Sequence, residues 1–106
     1  MYDPDVVFYE ADCLPYGGAH KGLPAVKKAF DQLSATYSNI HAVFEEILAA
    51  GEIVIAYQTI NATVKANGNK ITWTVAELFR FRNGMVVELR AHYFAADIVA
   101  RAIKGA

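Results

Sequence analysis

The chain has one cysteine, three prolines and one tryptophan among its 106 residues. A single cysteine, Cys13, excludes an internal disulfide and the paired thiols of a structural zinc site. Neither sign of charge predominates: ten basic residues stand against eleven acidic ones, a formal net charge of −1. That balance removes the electrostatic case for nucleic acid or an anionic membrane as a partner. No run approaches the ~18–20 apolar residues of a membrane span, and the first residues lack a basic-then-apolar signal. We therefore expect a cytoplasmic protein with no membrane association. Repeats and low-complexity tracts are absent. Gly17, Gly18 and Gly22 do not form a phosphate loop, because no G-x-G-x-x-G follows a strand and opens a helix. No spacing of His, Asp and Glu suggests a metal, and no cofactor is implied.

What is present is a core. The composition is 55% hydrophobic and 20% charged, which is that of an ordered globular protein. Residues 1–106 suffice for one domain and one core. Asp5 to Glu10 reads as a short strand with Val6, Phe8 and Glu10 on one face. Leu14 to Gly22, punctuated by Pro15 and the paired glycines, reads as a loop. Leu23 to about Thr36 is expected as a helix, with Pro24 in its first turn and a stripe of Leu23, Val26, Phe30, Leu33 and Tyr37. Strands follow at roughly His41–Leu48, Glu52–Val64, Lys70–Arg82 and Met85–Phe94, with hairpin signals at Asn67-Gly68 and Asn83-Gly84. Two of them are far longer than the usual ~5–6 residues, so bends or bulges are expected. Asp97 to Ile103 closes as a short helix. This order implies an α+β domain, a long antiparallel meander with the helix packed in its concave face.

One residue interrupts the apolar pattern. At the strand period of two, Ile71, Trp73, Val75, Glu77, Phe79 and Phe81 share a face. A carboxylate among them must find hydrogen-bond partners, pair with a cation, or hold its proton with a raised pKa. The Asn83-Gly84 turn allows two registers. A two-residue loop pairs Arg82 with Met85 and sets Glu77 opposite Arg90, a plain cross-strand ion pair. A three-residue loop pairs Phe81 with Met85 and Glu77 with Leu89. The second collects Val87, Leu89, Ala91 and Tyr93 with the aromatics, and sends Glu88, Arg90 and His92 to the other face with Arg80 and Arg82. A one-residue slip exchanges faces, so the apolar pattern favours the three-residue loop. On the other side Gln58 is the expected neighbour of Glu77, from the apolar set Val54, Ala56, Gln58, Ile60 and Ala62.

Val6-Val7-Phe8-Tyr9-Glu10, then Pro15-Tyr16-Gly17-Gly18, Lys21-Gly22 and a helix with Ala25-Val26 and Phe30, resembles the SnoaL-like polyketide cyclase group. So does the closing Phe79-Arg80-Phe81-Arg82-Asn83-Gly84 with Val87-Glu88-Leu89-Arg90-Ala91. That group belongs with the ketosteroid isomerases in the nuclear-transport-factor-like superfamily, and the resemblance covers nearly the whole chain. It implies a cone of curved sheet, here without the usual N-terminal helix. Glu10 stands where the isomerases carry their catalytic base. Glu77-Leu78-Phe79-Arg80-Phe81 matches the run that opens with their oxyanion-hole acid, with Glu in place of Asp.

The resemblance thus implies a pocket for a hydrophobic small molecule and proton transfer next to a carbonyl, of isomerase or cyclase type. Glu10 and Glu77 are the catalytic candidates. Phe8, Tyr16, Phe30, Gln58, Trp73 and Tyr93 are the candidate substrate contacts. A non-catalytic ligand-binding or dimerisation module of the same fold is the alternative, and a dehydratase using His20 or His92 with a carboxylate is the third. Otherwise His20 is expected at the surface, Tyr16 over the pocket mouth or in a turn, and Cys13 as a small buried hydrophobe. The outer face bearing Arg80, Arg82, Glu88, Arg90 and His92 is expected to pack against a second copy, giving a homodimer. The substrate itself is not legible.

Overall fold

A computed structural model of the chain describes residues 1–105. Six strands and two helices form it: β1 (Tyr2–Glu10), β2 (Gly18–Lys21), α1 (Leu23–Thr36), β3 (Tyr37–Ala50), β4 (Ile53–Val64), β5 (Lys70–Arg82), β6 (Met85–Phe94) and α2 (Ala96–Lys104). The strands make one curved sheet in the order β2-β1-β6-β5-β4-β3. The expected α+β architecture is present. Helix α1 and strands β5 and β6 run over the expected residues, with Pro24 in the first turn of α1. No helix is long and apolar enough to cross a membrane among the described residues.

Three features depart from the expected meander. Residues 14–22 are not wholly loop, since β2 pairs antiparallel with β1 and sets His20 opposite Phe8. Strand β1 runs parallel to β6, with Phe8 beside Leu89 and Tyr9 beside Arg90. Strand β3 begins at Tyr37 and runs 14 residues. Bends are expected in the two longest predicted strands, Glu52–Val64 and Lys70–Arg82; the extra residues fall instead in β3, with register shifts after Ser38 and after Phe44, the first with Asn39 at φ 53°. Bulges of this kind bend a strand and raise its twist, which suits a concave sheet.

Two apolar clusters line the concave face. Val6, Phe8, Val26, Ala29, Val86 and Leu89 join α1 to β1 and β6. Tyr16, Tyr37, Val64, Trp73, Val75 and Val99 join α2 to β4 and β5. Ala91 packs against both clusters. The helix α1 buries Val26 and Ala29 fully and the rest of its apolar stripe in part.

The β5–β6 register resolves the question about Glu77 in an unexpected way. The turn is the two-residue form, with Arg82 opposite Met85 and Phe81 opposite Val86. A bulge at Val87 then restores the other parity, so Arg80 faces Glu88, Phe79 faces Leu89 and Glu77 faces Ala91. The predicted loop and the predicted pairing of Glu77 with Leu89 are therefore both replaced. The predicted division of faces survives, except that Val86 and not Val87 enters the core. Adding one residue twice shifts the register by two, and a shift of two leaves every side chain on its face. Arg90 is turned away from Glu77, and ion-pairs instead with Glu88, which also binds Arg80 at 2.8 Å.

Candidate functional site

Glu77 lies on β5 between Ala56 of β4 and Ala91 of β6. Gln58, expected directly opposite, is set opposite Val75, because the β4–β5 connection is longer than two residues. It still reaches Glu77 diagonally: Gln58 Nε2 donates to Glu77 Oε1 at 2.7 Å. Gln58 itself is buried.

Glu10 arrives from the other side. It ends β1, and continuing the parallel register from Phe8–Leu89 and Tyr9–Arg90 brings it beside Ala91. Glu10 and Glu77 thus flank the same small residue on the concave face. Glu10 is 8% exposed, although it ends its strand. The Tyr93 hydroxyl donates to its Oε2 at 3.2 Å and the Ala11 N–H to its Oε1 at 3.2 Å. Tyr93, itself half-buried, packs against two buried phenols. Tyr16 and Tyr37 meet hydroxyl to hydroxyl at 2.6 Å, and Tyr93 interacts with Tyr16.

These surroundings set the protonation of the site. Burial pushes the Glu10 carboxyl up to about 7, while the Ala11 N–H and the Tyr93 hydroxyl pull it back and the Glu77 charge adds to the rise. Burial also raises Glu77, against the stabilising amide of Gln58. The three phenols are raised above their ordinary values, chiefly by burial, so they are neutral donors at any physiological pH. Among the described residues neither acid has an ion-pair partner. Two interacting carboxyls lose their protons in steps that belong to the pair. Between those steps one carboxyl is an acceptor and the other a donor.

The remaining candidates separate into distinct environments. Tyr16 is a turn residue, inside the turn closed by the Gly17 N–H on the Leu14 carbonyl, but its side chain is fully buried in the packing and is not a lid. Phe8 is buried against Phe30 at 5.2 Å between ring centroids, and Phe30 meets Tyr2 at 6.1 Å. Trp73 stacks on Tyr93 at 6.3 Å and lies 5.2 Å from Tyr37. It lines a cavity of about 250 Å³ beside α2. Phe44 and Ile47 of β3 lie opposite Gln58 and Ala56, on the Glu77 side of the sheet, and are 57% and 63% exposed. The concave face is therefore open to solvent along β3.

Three residues contradict or extend the expectation. Cys13 is exposed and not a buried hydrophobe. His20 is half-buried and not at the surface; its Nε2 lies 2.9 Å from the Tyr16 carbonyl and its ring 5.9 Å from Phe8. His92 is exposed, as expected. Tyr37 was legible only as a core residue; its hydroxyl contact joins positions 21 apart in sequence, and no local pattern marks it. No three of the described His, Cys, Asp and Glu side chains converge in a metal-binding group.

The family model of the SnoaL-like domain matches residues 1–89. The chain belongs to the SnoaL-like family. Solved structures agree on the fold. An NTF2-like protein of unknown function from Burkholderia pseudomallei is 24% identical, with a TM-score of 0.82 over 92% of this chain and 76% of that one. A proposed SnoaL-like polyketide cyclase from Jannaschia sp. CCS1 is 16% identical, with a TM-score of 0.87 over 100% of this chain and 75% of that one. A protein with the ketosteroid isomerase-like fold from Catenulispora acidiphila, solved with trimethylamine, is 16% identical with a TM-score of 0.79, over 94% and 75% of the two chains. Among curated proteins, none matches the sequence significantly. At these identities the SnoaL-like neighbours establish the architecture and leave the chemistry to the residues.

Proposed function

We propose that this SnoaL-like domain binds an apolar carbonyl compound over the concave face and moves a proton next to its carbonyl. The supporting observation is the pair of carboxyls, Glu10 buried and Glu77 half-buried, on either side of Ala91 with no cation among the described residues to neutralise them. Glu10, with a pKa of about 7, is ionised in a large share of molecules at neutral pH and takes the proton from the carbon next to the carbonyl. The electron pair moves onto the carbonyl oxygen, where protonated Glu77 donates to the developing enolate. A Gln58 amide turned to accept fits that protonated form as well as its donating orientation fits the ionised one. Return of the proton from Glu10 to a conjugated carbon completes an isomerisation. Attack of the enolate carbon on a second carbonyl completes a ring closure instead. Gln58, Trp73 and Tyr93 would form the wall nearest the acids, with Phe8, Tyr16 and Phe30 holding that wall in place. No cofactor enters these steps.

The test is turnover of a β,γ-unsaturated steroid ketone and of an aromatic polyketide bearing two carbonyls. Glu10→Gln should lose at least about 100-fold in turnover while keeping its circular dichroism and melting behaviour. Unchanged turnover would remove Glu10 as the base. A pH profile governed by a histidine would favour the dehydratase reading through His20, which shares the Phe8 face of the β1–β2 pair.

The second reading, a ligand-binding or dimerisation module, draws support from β3. Val43, Leu48 and Tyr57 lie on the convex face of β3 and β4 and are each more than 40% exposed. Beside them Glu88 bridges Arg80 and Arg90, and Arg90 lies 4.0 Å from the centroid of the Tyr9 ring. We propose that a second copy covers this convex face. Light scattering at high protein concentration should give a dimer mass; a monomer would refute it.

A further inference from the structure

Strand β5 outruns its neighbour on one side. It pairs with β4 from Lys70 onward, but with β6 only from Thr74. Lys70, Ile71, Thr72 and Trp73 thus have a strand on one side alone. Helix α2 passes along the other side without filling the gap. Between them lies the cavity of about 250 Å³ that Trp73, Thr72, Phe94 and Ile98 help to line. A second opening of about 560 Å³, walled by Lys70, Asn69, Arg101 and Ala102, adjoins it through Ile98. The two form one groove along the free edge.

The groove has a fixed width and a polarity. The Nδ2 groups of Asn67 and Asn69 each donate to the Ala102 carbonyl at 3.0 Å, which ties the end of α2 to the turn before β5. Phe94 and Ile98 are 80% and 52% exposed and supply an apolar wall at one end. Lys70 and Arg101 stand at the other; Asp97 holds Arg101 at 3.3 Å, and Lys70 has no ion pair among the described residues. Trp73, in the wall, has its Nε1 buried without a hydrogen-bond partner.

We propose that this groove binds a short extended peptide, which adds to β5 as a strand with an apolar side chain against Trp73 and Ile98 and an acidic group near Lys70 and Arg101. The free edge favours a peptide over a compact small molecule. Four residues of β5 with one free edge present the N–H and C=O groups of alternate residues over about 13 Å, and another extended backbone matches that row. Lys70, the cation at that end without an ion pair among the described residues, selects an acidic group, and the apolar wall selects the residue before it. This site uses the edge of β5, whereas the carboxyl pair uses its concave face, so either can stand without the other.

The test uses the whole chain and an acetylated tetrapeptide amide of alternating valine and threonine ending in glutamate. Trp73, the one tryptophan, reports binding by fluorescence, and amide NMR shifts locate it. The peptide should saturate with shifts concentrated at residues 70–73 and on α2. Methylating its strand-pairing amide nitrogens should weaken binding at least tenfold. Ile98→Glu and Lys70→Glu, both at exposed positions, should each weaken it severalfold without changing the melting temperature. Equal binding of the methylated peptide would overturn strand addition. So would shifts confined to other surfaces, displacement of the peptide by octanoate at equal concentration, or no binding at millimolar peptide.

Discussion

Raising the pH from 5 to 8 should weaken the fold through Glu10, and replacing it with glutamine should abolish that weakening. The Glu10 carboxyl titrates at about 7 in the folded chain, against an ordinary 4.5 once unfolded. Between those values the folded chain holds a proton that the unfolded chain has released, so the free energy of unfolding falls as pH rises. The gap from 4.5 to about 7, at about 1.4 kcal/mol per unit, is worth about 3 kcal/mol, fully lost above about pH 7. Glu77 is shifted in the same direction and steepens the wild-type slope, so the comparison with Glu10→Gln is what isolates Glu10. The amide cannot ionise, but it weakens the contacts from Tyr93 and Ala11, at a cost of about 1 kcal/mol at every pH. The assay is urea unfolding followed by Trp73 fluorescence at four pH values. At pH 4, below both values, the variant should be less stable by about 1 kcal/mol; near pH 5 the two should be about equal, and at pH 8 the variant should be more stable by about 2 kcal/mol. The two stability curves must therefore cross. Parallel curves, or a wild type that gains stability from pH 5 to 8 relative to the variant, would refute the reasoning.

Other outcomes follow from the same geometry. Tyr37→Phe leaves the buried Tyr16 hydroxyl without its 2.6 Å partner and should cost about 1–3 kcal/mol in chemical unfolding, with little change in secondary structure. A Cβ at Gly17 would lie 2.2 Å from the Ala11 carbonyl oxygen and 2.9 Å from that of Leu14. Gly17→Ala should therefore displace the Ala11–Gly17 segment, lower the melting temperature and move the Glu10 pKa measured by carbon NMR. Cys13 is exposed, so a thiol reagent should label it in the folded protein as fast as in urea; protection in the native state would contradict its position.

How far the sequence could be read depended on how local each signal was. Pro24, Asn83-Gly84 and the alternation along β5 and β6 act through neighbours in the chain, and those elements fall where they were expected. The division of β6 into an inward face with Leu89, Ala91 and Tyr93 and an outward face with Glu88, Arg90 and His92 was also legible, because burial enforces it. The means was not. A tight turn with a bulge at Val87 and a three-residue loop without one place the faces alike, so apolar patterning cannot distinguish them. The parallel union of β1 with β6 joins residues some 80 positions apart, as does the hydrogen bond from Tyr93 to Glu10, 83 apart. That long-range pairing carries Glu10 from a strand end into the core, and nothing beside it in sequence records the move.

Two uncompensated carboxyls in one small core bear on why the site exists. A domain of this size has roughly 5–15 kcal/mol of net stability, and Glu10 alone withdraws about 3 kcal/mol of it above pH 7. A buried structural acid could avoid that loss by pairing, and cations are near at hand: Arg80 and Arg90 lie on the same two strands as Glu77 and its neighbour Ala91. Alternation along β5 sends Arg80, and the bulge at Val87 sends Arg90, to the convex face, where they share Glu88. A residue such as leucine at position 77 would continue the apolar stripe at no electrostatic cost. The arrangement instead keeps both acids, denies them cations, and gives them neutral donors in Gln58, Tyr93 and the Ala11 N–H. Such surroundings raise both carboxyls, Glu10 to about 7, without fixing their charge, as the proposed proton transfer would require and packing would not.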